Sequence, residues 1–418
     1  MLPSVSPSKP PPTTIFGRRQ ARLLGCAYAA LRSMELSAAW IASTPRTADK
    51  VVMATKLGID ASQLARLVTR AKEMYMVEVV PEAPLAYAAN FDHGATLTDT
   101  SRQLAFLSAI SRDLVATMRA YEEEQKDCAD EPSLFLLAAL QVELERIAKR
   151  LDAAKSDAGA RMDIVPFEKT LGTPIVAYTG REPIPELVAF PAREDILTFS
   201  EEPPPQPKRG GAMFKREALA PFFHNMFVDV EIPATEVCAR AIVEFRDMPL
   251  DFKIDMARQA WDEGRHAVLT IDALHWAGGK EGDHTFHAQV WRRYLQGEGL
   301  AEKLAIQQLL QEGNSCDKAV TVARTLRLVG HAGIADMLDQ LIADEVIHVQ
   351  FGNRWVMHLC EQSRERYEAV MAAAHEKVKF PMGPVNDVVR SMGGFPPWYV
   401  GHLREKFASI LAEPPRGS

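Results

Sequence analysis

Two short segments in the second half of the chain repeat one chemical pattern, Trp261-Asp262-Glu263-Gly264-Arg265-His266 and Ala343-Asp344-Glu345-Val346-Ile347-His348. Each holds Asp-Glu-x-x-His in a stretch of helical periodicity. Residues three apart share a helix face, so the Glu and His of each motif can reach one metal ion. A single Glu-x-x-His is common on helix surfaces and says little. Two copies raise the question whether each has a carboxylate partner on a neighbouring helix. Glu312 lies 33 residues before Glu345, and Glu231 lies 32 before Glu263. A turn near each midpoint leaves limbs of about 15 residues, roughly 22 Å of helix, which sets both carboxylates of a pair at one height. Met248-Pro249 falls at the first midpoint, where proline stops a helix.

Glu236 is the rival to Glu231, but it stands only 27 residues from Glu263. That is an axial error of about 7 Å and a rotation of about 140° round the helix. Glu231 is the expected ligand, with Glu236 a surface carboxylate or a partner behind the ligands. The expected set is Glu231, Glu263 and His266 on one metal, and Glu312, Glu345 and His348 on the other, with Glu263 and Glu345 bridging. Carboxylate oxygens bridge hard cations, imidazole adds one neutral ligand per metal, and four carboxylates balance two divalent ions. A Glu from each of two helices plus Glu-x-x-His from two others is the ligand pattern of di-iron and di-manganese four-helix bundles. Asp262 and Asp344 are expected to hold the outer nitrogens of the histidines, in crossed pairing: Asp262 with His348 and Asp344 with His266. The plain alternative is two helix-surface aspartates.

Those residues need long helices to carry them. Residues 1–13 are rich in Pro and Ser and read as a disordered tail. Residues 14–156 read as a helical domain, with apolar residues at three and four spacing, as in Leu64, Leu67 and Val68. Asp60-Ala61-Ser62 and Thr98 or Asp99 are expected helix starts. Residues 157–212 carry Pro166, Pro174, Pro183, Pro185, Pro191 and the run Pro203-Pro204-Pro205, and Gly210-Gly211 ends the stretch. They predict an extended connector, with a short strand around Ile175 to Tyr178. Helical periodicity returns over 213–418, broken at Met248-Pro249, Gly278 to Asp283, Gly330 to Gly333, and Pro381 to Pro384 before the last helix. The expected fold class is all-α, a C-terminal four-helix bundle joined by the connector to the N-terminal helical domain.

A net charge of −7 and the lack of a basic stripe exclude a nucleic-acid surface. Five scattered cysteines without Cys-x-x-Cys exclude a thiolate cluster of familiar spacing and a disulfide scaffold, so the reducing cytoplasm is expected. No apolar run reaches the ~20 residues that span a bilayer, so no membrane is expected. Arg18-Arg19 ahead of Leu23-Leu24-Gly25-Cys26-Ala27 resembles a twin-arginine signal, but the apolar part is short and merges into an amphipathic helix. His284 and His287 in a turn, and His224 and His275 on helices, lack a carboxylate pattern and read as surface or packing residues. Trp261 and Trp355 read as core aromatics. Neither a Gly-rich phosphate loop nor Gly-x-Ser-x-Gly is present.

Taken together, the motifs resemble the ferritin-like superfamily, and most closely a bacterial branch known only as a domain of unknown function. That branch shows Phe-x-His-Ile-Glu-x-x-Ala, a Met-Pro turn, Asp/Glu-Glu-x-x-His, Leu-Glu-Ala-Arg-Gly and Asp-Glu-x-x-His-Val. The matching stretches are Phe227 to Ala234, Met248-Pro249, Asp262 to His266, Gln311 to Ser315 and Asp344 to Val349, within roughly Ala218 to Leu359. Asp229 stands where the branch has His, and Asn314 where it has Arg. The resemblance implies a ferritin-like bundle with two iron ions, manganese being the alternative. It implies an oxidoreductase that activates dioxygen or peroxide to oxidise a small organic substrate, fed by an external electron donor. The other readings are ferritin- or rubrerythrin-like metal oxidation, storage or peroxide scavenging, and a structural metal-binding protein. A homodimer is expected. In the first half, Glu35-Leu36-Ser37-Ala38 echoes Glu231-Ile232-Pro233-Ala234, and Ile59-Asp60 echoes Ile254-Asp255. This predicts a second bundle that has lost its ligands, with Val68 and Ala71 where Glu263 and His266 stand.

Overall fold

The computed structural model describes residues 14–74, 79–124, 130–202, 214–380 and 383–412. The expected tail at 1–13, the Pro203–Pro205 run, Gly210-Gly211 and Pro381 lie outside them. The fold is all-α, and the described strands form one antiparallel ribbon, β1 (Glu82–Pro84) against β2 (Ile175–Ala177). The chain divides into two compact units. One holds residues 1–194 and 238–261; the other holds 195–237 and 262–418. Two helices, α7 (Ile232–Glu244) and α8 (Leu250–Trp276), therefore contribute residues to both.

In the first unit α1 (Ile15–Ile41) packs on α2 (Thr47–Glu73) and α4 (Thr100–Glu124), and α5 (Glu131–Ala154) packs on α2 and α4, closing a ring of four helices. The short α3 (Leu85–Gly94) and β1 lie against α1. From Leu23 onward α1 is buried on every side, which suits a segment apolar round its whole circumference, with Tyr28 and Trp40 among Leu and Ala and its charges Arg32 and Glu35 paired. Gly25 is required there: a Cβ would sit 2.1 Å from a ring carbon of Phe167. Asp99 caps α4 by accepting from the Arg102 amide, as the sequence predicts. The other expected start is wrong. Asp60 lies inside α2, fully buried and ion-paired with Lys56 one turn earlier, so an aspartate that reads as a cap is half of an internal charge pair.

The connector is anchored to this unit by a buried carboxylate. Glu35 accepts from Arg32 Nη1 at 2.6 Å, from Arg246 Nε and Nη2 at 3.1 and 2.9 Å, and from the Tyr178 hydroxyl, with Lys253 Nζ at 3.4 Å. Arg32 and Arg246 also donate to the carbonyls of Pro183 and Glu182, fixing the proline-rich chain beside them.

In the second unit α6 (Ala220–Asn225) runs through a π-helical turn (Met226–Glu231) into α7. The chain continues from α8 through α9 (Gln289–Tyr294) and α10 (Leu300–Leu304) to a second π-helical turn (Ala305–Glu312). This turn leads directly into α11 (Gly313–Leu328), followed by α12 (Ala332–Leu359), α13 (Arg364–Val378), α14 (Asp387–Met392) and α15 (Pro397–Ala412). One end of this unit is closed by an apolar cluster that includes Phe223, Leu274, Leu326 and Leu338. At Gly352 α12 presses on the second π turn, where a Cβ would meet that of Gln308 at 2.4 Å. Among the described residues no helix is long and apolar enough to cross a membrane, and Cys26, Cys238, Cys316 and Cys360 are free and buried; Cys128 lies outside the description.

Burial opposes ionisation of Glu35, but Lys253, Arg246 and Arg32 overcome it and hold the carboxyl below its ordinary 4.5. A depressed carboxylate pKa adds stability that is present above the unfolded value and is lost as pH falls through the folded one. Glu35→Ala should destabilise the protein by about 3–5 kcal/mol in urea unfolding at pH 7, because three cations lose their buried partner. The gap between variant and parent should shrink below about pH 4. A difference under about 1 kcal/mol at neutral pH would mean that the cluster contributes little.

Candidate metal centre

Glu231 and Glu312 are each the last residue of a π-helical turn. Such a turn inserts one residue into a helix and shifts the phase of everything beyond it, a device that recurs at functional sites. The second turn also brings an i,i+5 pair into contact: Gln307 Nε2 donates to Glu312 Oε1 at 3.0 Å. On the facing helices the ordinary i,i+3 geometry puts Glu263 beside His266 and Glu345 beside His348.

The six side chains form two overlapping groups, Glu231, Glu263, His266 and Glu345, and Glu263, Glu312, Glu345 and His348. Within each group every residue offers an atom within 4.8 Å of the others. Glu263 and Glu345 belong to both, the arrangement of bridging carboxylates. His266 Nδ1 faces Glu263 Oε2 at 3.3 Å, Glu345 Oε1 at 3.4 Å and Glu231 Oε2 at 3.6 Å. His348 Nδ1 faces Glu263 Oε1 at 3.2 Å and Glu345 Oε2 at 3.4 Å. Nδ1 is thus the inward atom of both rings.

Each outer nitrogen meets the aspartate of the opposite motif: His266 Nε2 to Asp344 at 3.2 Å, and His348 Nε2 to Asp262 at 3.3 Å. Arg265 joins the two aspartates, donating through Nη2 to Asp262 and, at 2.9 Å, to Asp344. Burial works against the Asp344 charge, but His266 and Arg265 hold its pKa below the ordinary value. A ligand histidine is oriented in this way by fixing its far nitrogen.

The inner set has a strong electrostatic preference. Burial pushes the Glu231 carboxyl up to about 8 and, with the charges of Glu345 and Glu263, drives Glu312 well above the ordinary carboxylate range. Burial alone would lower both imidazoles, yet the surrounding carboxylates raise them well above 6.5. Glu263 goes the other way: burial is outweighed by His266 and His348, which hold it ionised. Glu231 Oε2 is buried with no hydrogen-bond donor. Arg265 is ion-paired to the outer aspartates, Asp262 and Asp344. Three buried carboxylates and the half-buried Glu345 converge on two inward imidazole nitrogens, and with Glu231 Oε2 lacking a donor this oxygen and nitrogen set fits a metal ion. The groups can hold metal.

A cavity of about 320 Å³ opens onto the four glutamates and touches neither histidine. The imidazole side is closed by the aspartates and Arg265, and the carboxylate side is open. Glu236 is buried, which removes the surface reading, and it joins neither metal group. The distinctive residues Asp229 and Asn314 are committed elsewhere. Asp229 accepts from the His287 and Gln289 amides and pins the loop before α9. Asn314 accepts from Arg390 Nη2 at 2.9 Å, so a guanidinium from α14 stands beside the position where the similar branch carries its own arginine. The remaining histidines stay apart: His224 bonds the Glu281 carbonyl, its ring 5.2 Å from that of His284; His275 bonds Glu281; and His287 faces the Ser200 carbonyl.

The echo in the first half fails in register. The hairpins α1–α2 and α7–α8 turn through residues 42–46 and 245–249, and α2 and α8 are both 27 residues long. Counted from those turns, Tyr28 matches Glu231, Asp60 matches Glu263 and Gln63 matches His266. Glu35 is two turns away and serves the connector, and Val68 and Ala71 lie beyond the matching positions.

Metal binding must strip protons from Glu231, Glu312, His266 and His348. Loading the metal-free chain with manganese(II) at pH 7 should release about four protons. The dependence of calorimetric heat on buffer ionisation enthalpy reads the number. Release of fewer than about one proton would contradict this account of the cluster.

No curated protein and no solved structure matches the chain. A family model described as "Protein of unknown function (DUF455)" matches residues 148–401. All six residues of the two groups, Asp262, Asp344, Arg265 and Arg390 fall inside that span, which covers more than half of the sequence. The chain is a member of the DUF455 family.

Proposed function

We propose that the chain is a ferritin-like di-metal oxidoreductase that uses two iron ions, or manganese, to activate dioxygen or peroxide and oxidise a small organic substrate. The observation that carries this reading is the cavity on the carboxylate side: a mostly apolar chamber ends on the four glutamates. Storage or structural roles give no reason for such a chamber. Bound there, the metal pair supplies the redox chemistry that side chains lack.

The rest is the work of the chain itself. Glu231, Glu263 and His266 would hold one ion, and Glu312, Glu345 and His348 the other, with Glu263 and Glu345 shared. Asp262 and Asp344 keep each imidazole turned with Nδ1 inward, and Arg265 ties the two aspartates together. Gln307 steadies Glu312, while Glu231 Oε2 is buried with no donor and is the oxygen a metal ion would satisfy. The apolar wall excludes water from the reacting atoms. Electrons would come from an external donor, and four buried free thiols suit the cytoplasm.

Elemental analysis of protein from iron-supplemented cells should find about two iron or manganese ions per chain. The Glu263→Ala/Glu345→Ala double variant should lose both while keeping its helical circular dichroism. The reduced, loaded parent should consume dioxygen, and the variant should not. A parent that binds no transition metal after anaerobic reconstitution would sink the reading.

A further inference from the structure

The cavity has two unlike walls. Phe222, Met226, Val230, Leu338, Leu341 and Ile342 make one of them apolar. The other is a line of hydrogen-bond donors, Gln311, Ser315 and Lys318, which follow one another at four and three residues, the spacing of a single helix face. Ser315 and Lys318 are exposed and mark the mouth, while Gln311 is buried next to the ligand Glu312.

Gln311 is set up to receive something. Its Oε1 accepts from Arg293 Nη1 at 3.3 Å, and because a guanidinium can only donate, the amide cannot be flipped. Its Nε2 therefore points elsewhere, and that nitrogen is buried with no partner among the described residues. A buried donor of this kind requires an acceptor. At the mouth Lys318 makes no ion pair among the described residues; the neighbouring Asp317 is already held by Arg390. Lys318 is also the only cationic residue on the cavity wall.

Resting on the reading above, we infer that the substrate is a small, largely apolar monocarboxylate. Its hydrocarbon body lies on the apolar wall, its carboxylate pairs with Lys318 at the mouth, and Gln311 Nε2 bonds a further acceptor, oxygen or bound water, beside the metal centre. Helix geometry sets the scale. Lys318 lies six residues beyond Glu312, about 9 Å along the axis, so the carbon presented to the glutamates is several bonds from the carboxylate. The cavity is at the small end of the range for enclosed ligands, which fits a chain or single ring and excludes anything the size of a nucleotide.

The test is calorimetric titration of the full chain, loaded with redox-quiet manganese(II), with butanoate, hexanoate, octanoate and decanoate. Alkylamines of matching length serve as controls, and metal content is measured on every sample. The carboxylates should bind more tightly as the chain lengthens until the cavity is full, and the amines should not bind. Lys318→Glu and Gln311→Leu should each weaken binding by about tenfold or more, and Lys318→Arg should retain it. The inference is overturned if metal-replete protein ignores the acids, or if Lys318→Glu binds them as well as the parent does, which would place the carboxylate on the metals instead. Metal-replete protein that binds no acid leaves the di-metal reading standing. Protein that takes up no metal but binds acids through Lys318 removes that reading and keeps the cavity assignment.

Discussion

Taking a carboxylate out of water is among the most unfavourable things a protein can do, and the second unit gathers four around one point, Glu231, Glu263 and Glu312 buried and Glu345 half-buried. Removing one such ion from water costs several kcal/mol even after relaxation. Four uncompensated charges would exceed the roughly 5–15 kcal/mol that holds a domain together. The chain meets this partly by protonation, as the raised pKa values of Glu231 and Glu312 record. A pair of divalent ions would do so fully. The surrounding structure follows from that constraint. The π turns aim the two lone glutamates inward, the crossed aspartates turn the imidazoles, and Arg265 offsets the charge that the aspartates add on the outer side.

How much of this was legible in sequence depends on whether the governing geometry leaves a trace in residue type. The two Asp-Glu-x-x-His motifs do, since i,i+3 spacing on a helix is fixed and the lone glutamates lie one helical hairpin upstream. Spacing and structure gather the same six side chains for that reason. The π turns leave no such trace. A shift from i→i+4 to i→i+5 bonding needs no particular residue, so the contact from Gln307 to Glu312 was invisible to a reading based on ordinary helices. Arg265 could have been noticed, because the second motif has Ile347 at that place and the asymmetry is plain in the sequence. Arg390 could not, as it arrives beside Asn314 from 76 residues away.

The misreadings in the first unit share one cause. Asp60 reads as a helix cap because Asp-x-Ser is a common helix start. Glu35 matches Glu231 only through the short echo of Glu35-Leu36-Ser37-Ala38 with Glu231-Ile232-Pro233-Ala234. Both are buried charges whose partners are cations. Local composition cannot distinguish a carboxylate at a helix end or a ligand position from one paired with a lysine a turn earlier or an arginine two hundred residues later.

That distinction points to two solutions of a single physical problem within one sequence. At the register of Glu263 the first unit holds Asp60. Burial lifts that carboxyl to about 6, and Lys56 supplies the neutralising charge from the same helix. A lysine from the same helix occupies the carboxylate directly and leaves no place on it for a cation from solution. Around the glutamates of the second unit the raised pKa values of Glu231, Glu312, His266 and His348 show compensation by protons, which can be exchanged. Exchangeable compensation lets an incoming cation replace the protons, whereas a lysine in the same helix already fills that place. Lys56 stands four residues before Asp60 and Gln259 four before Glu263. The cation that the first unit carries in its own helix is thus replaced at the matching position by a neutral amide, and the ability to take up a metal follows from that exchange of one side chain.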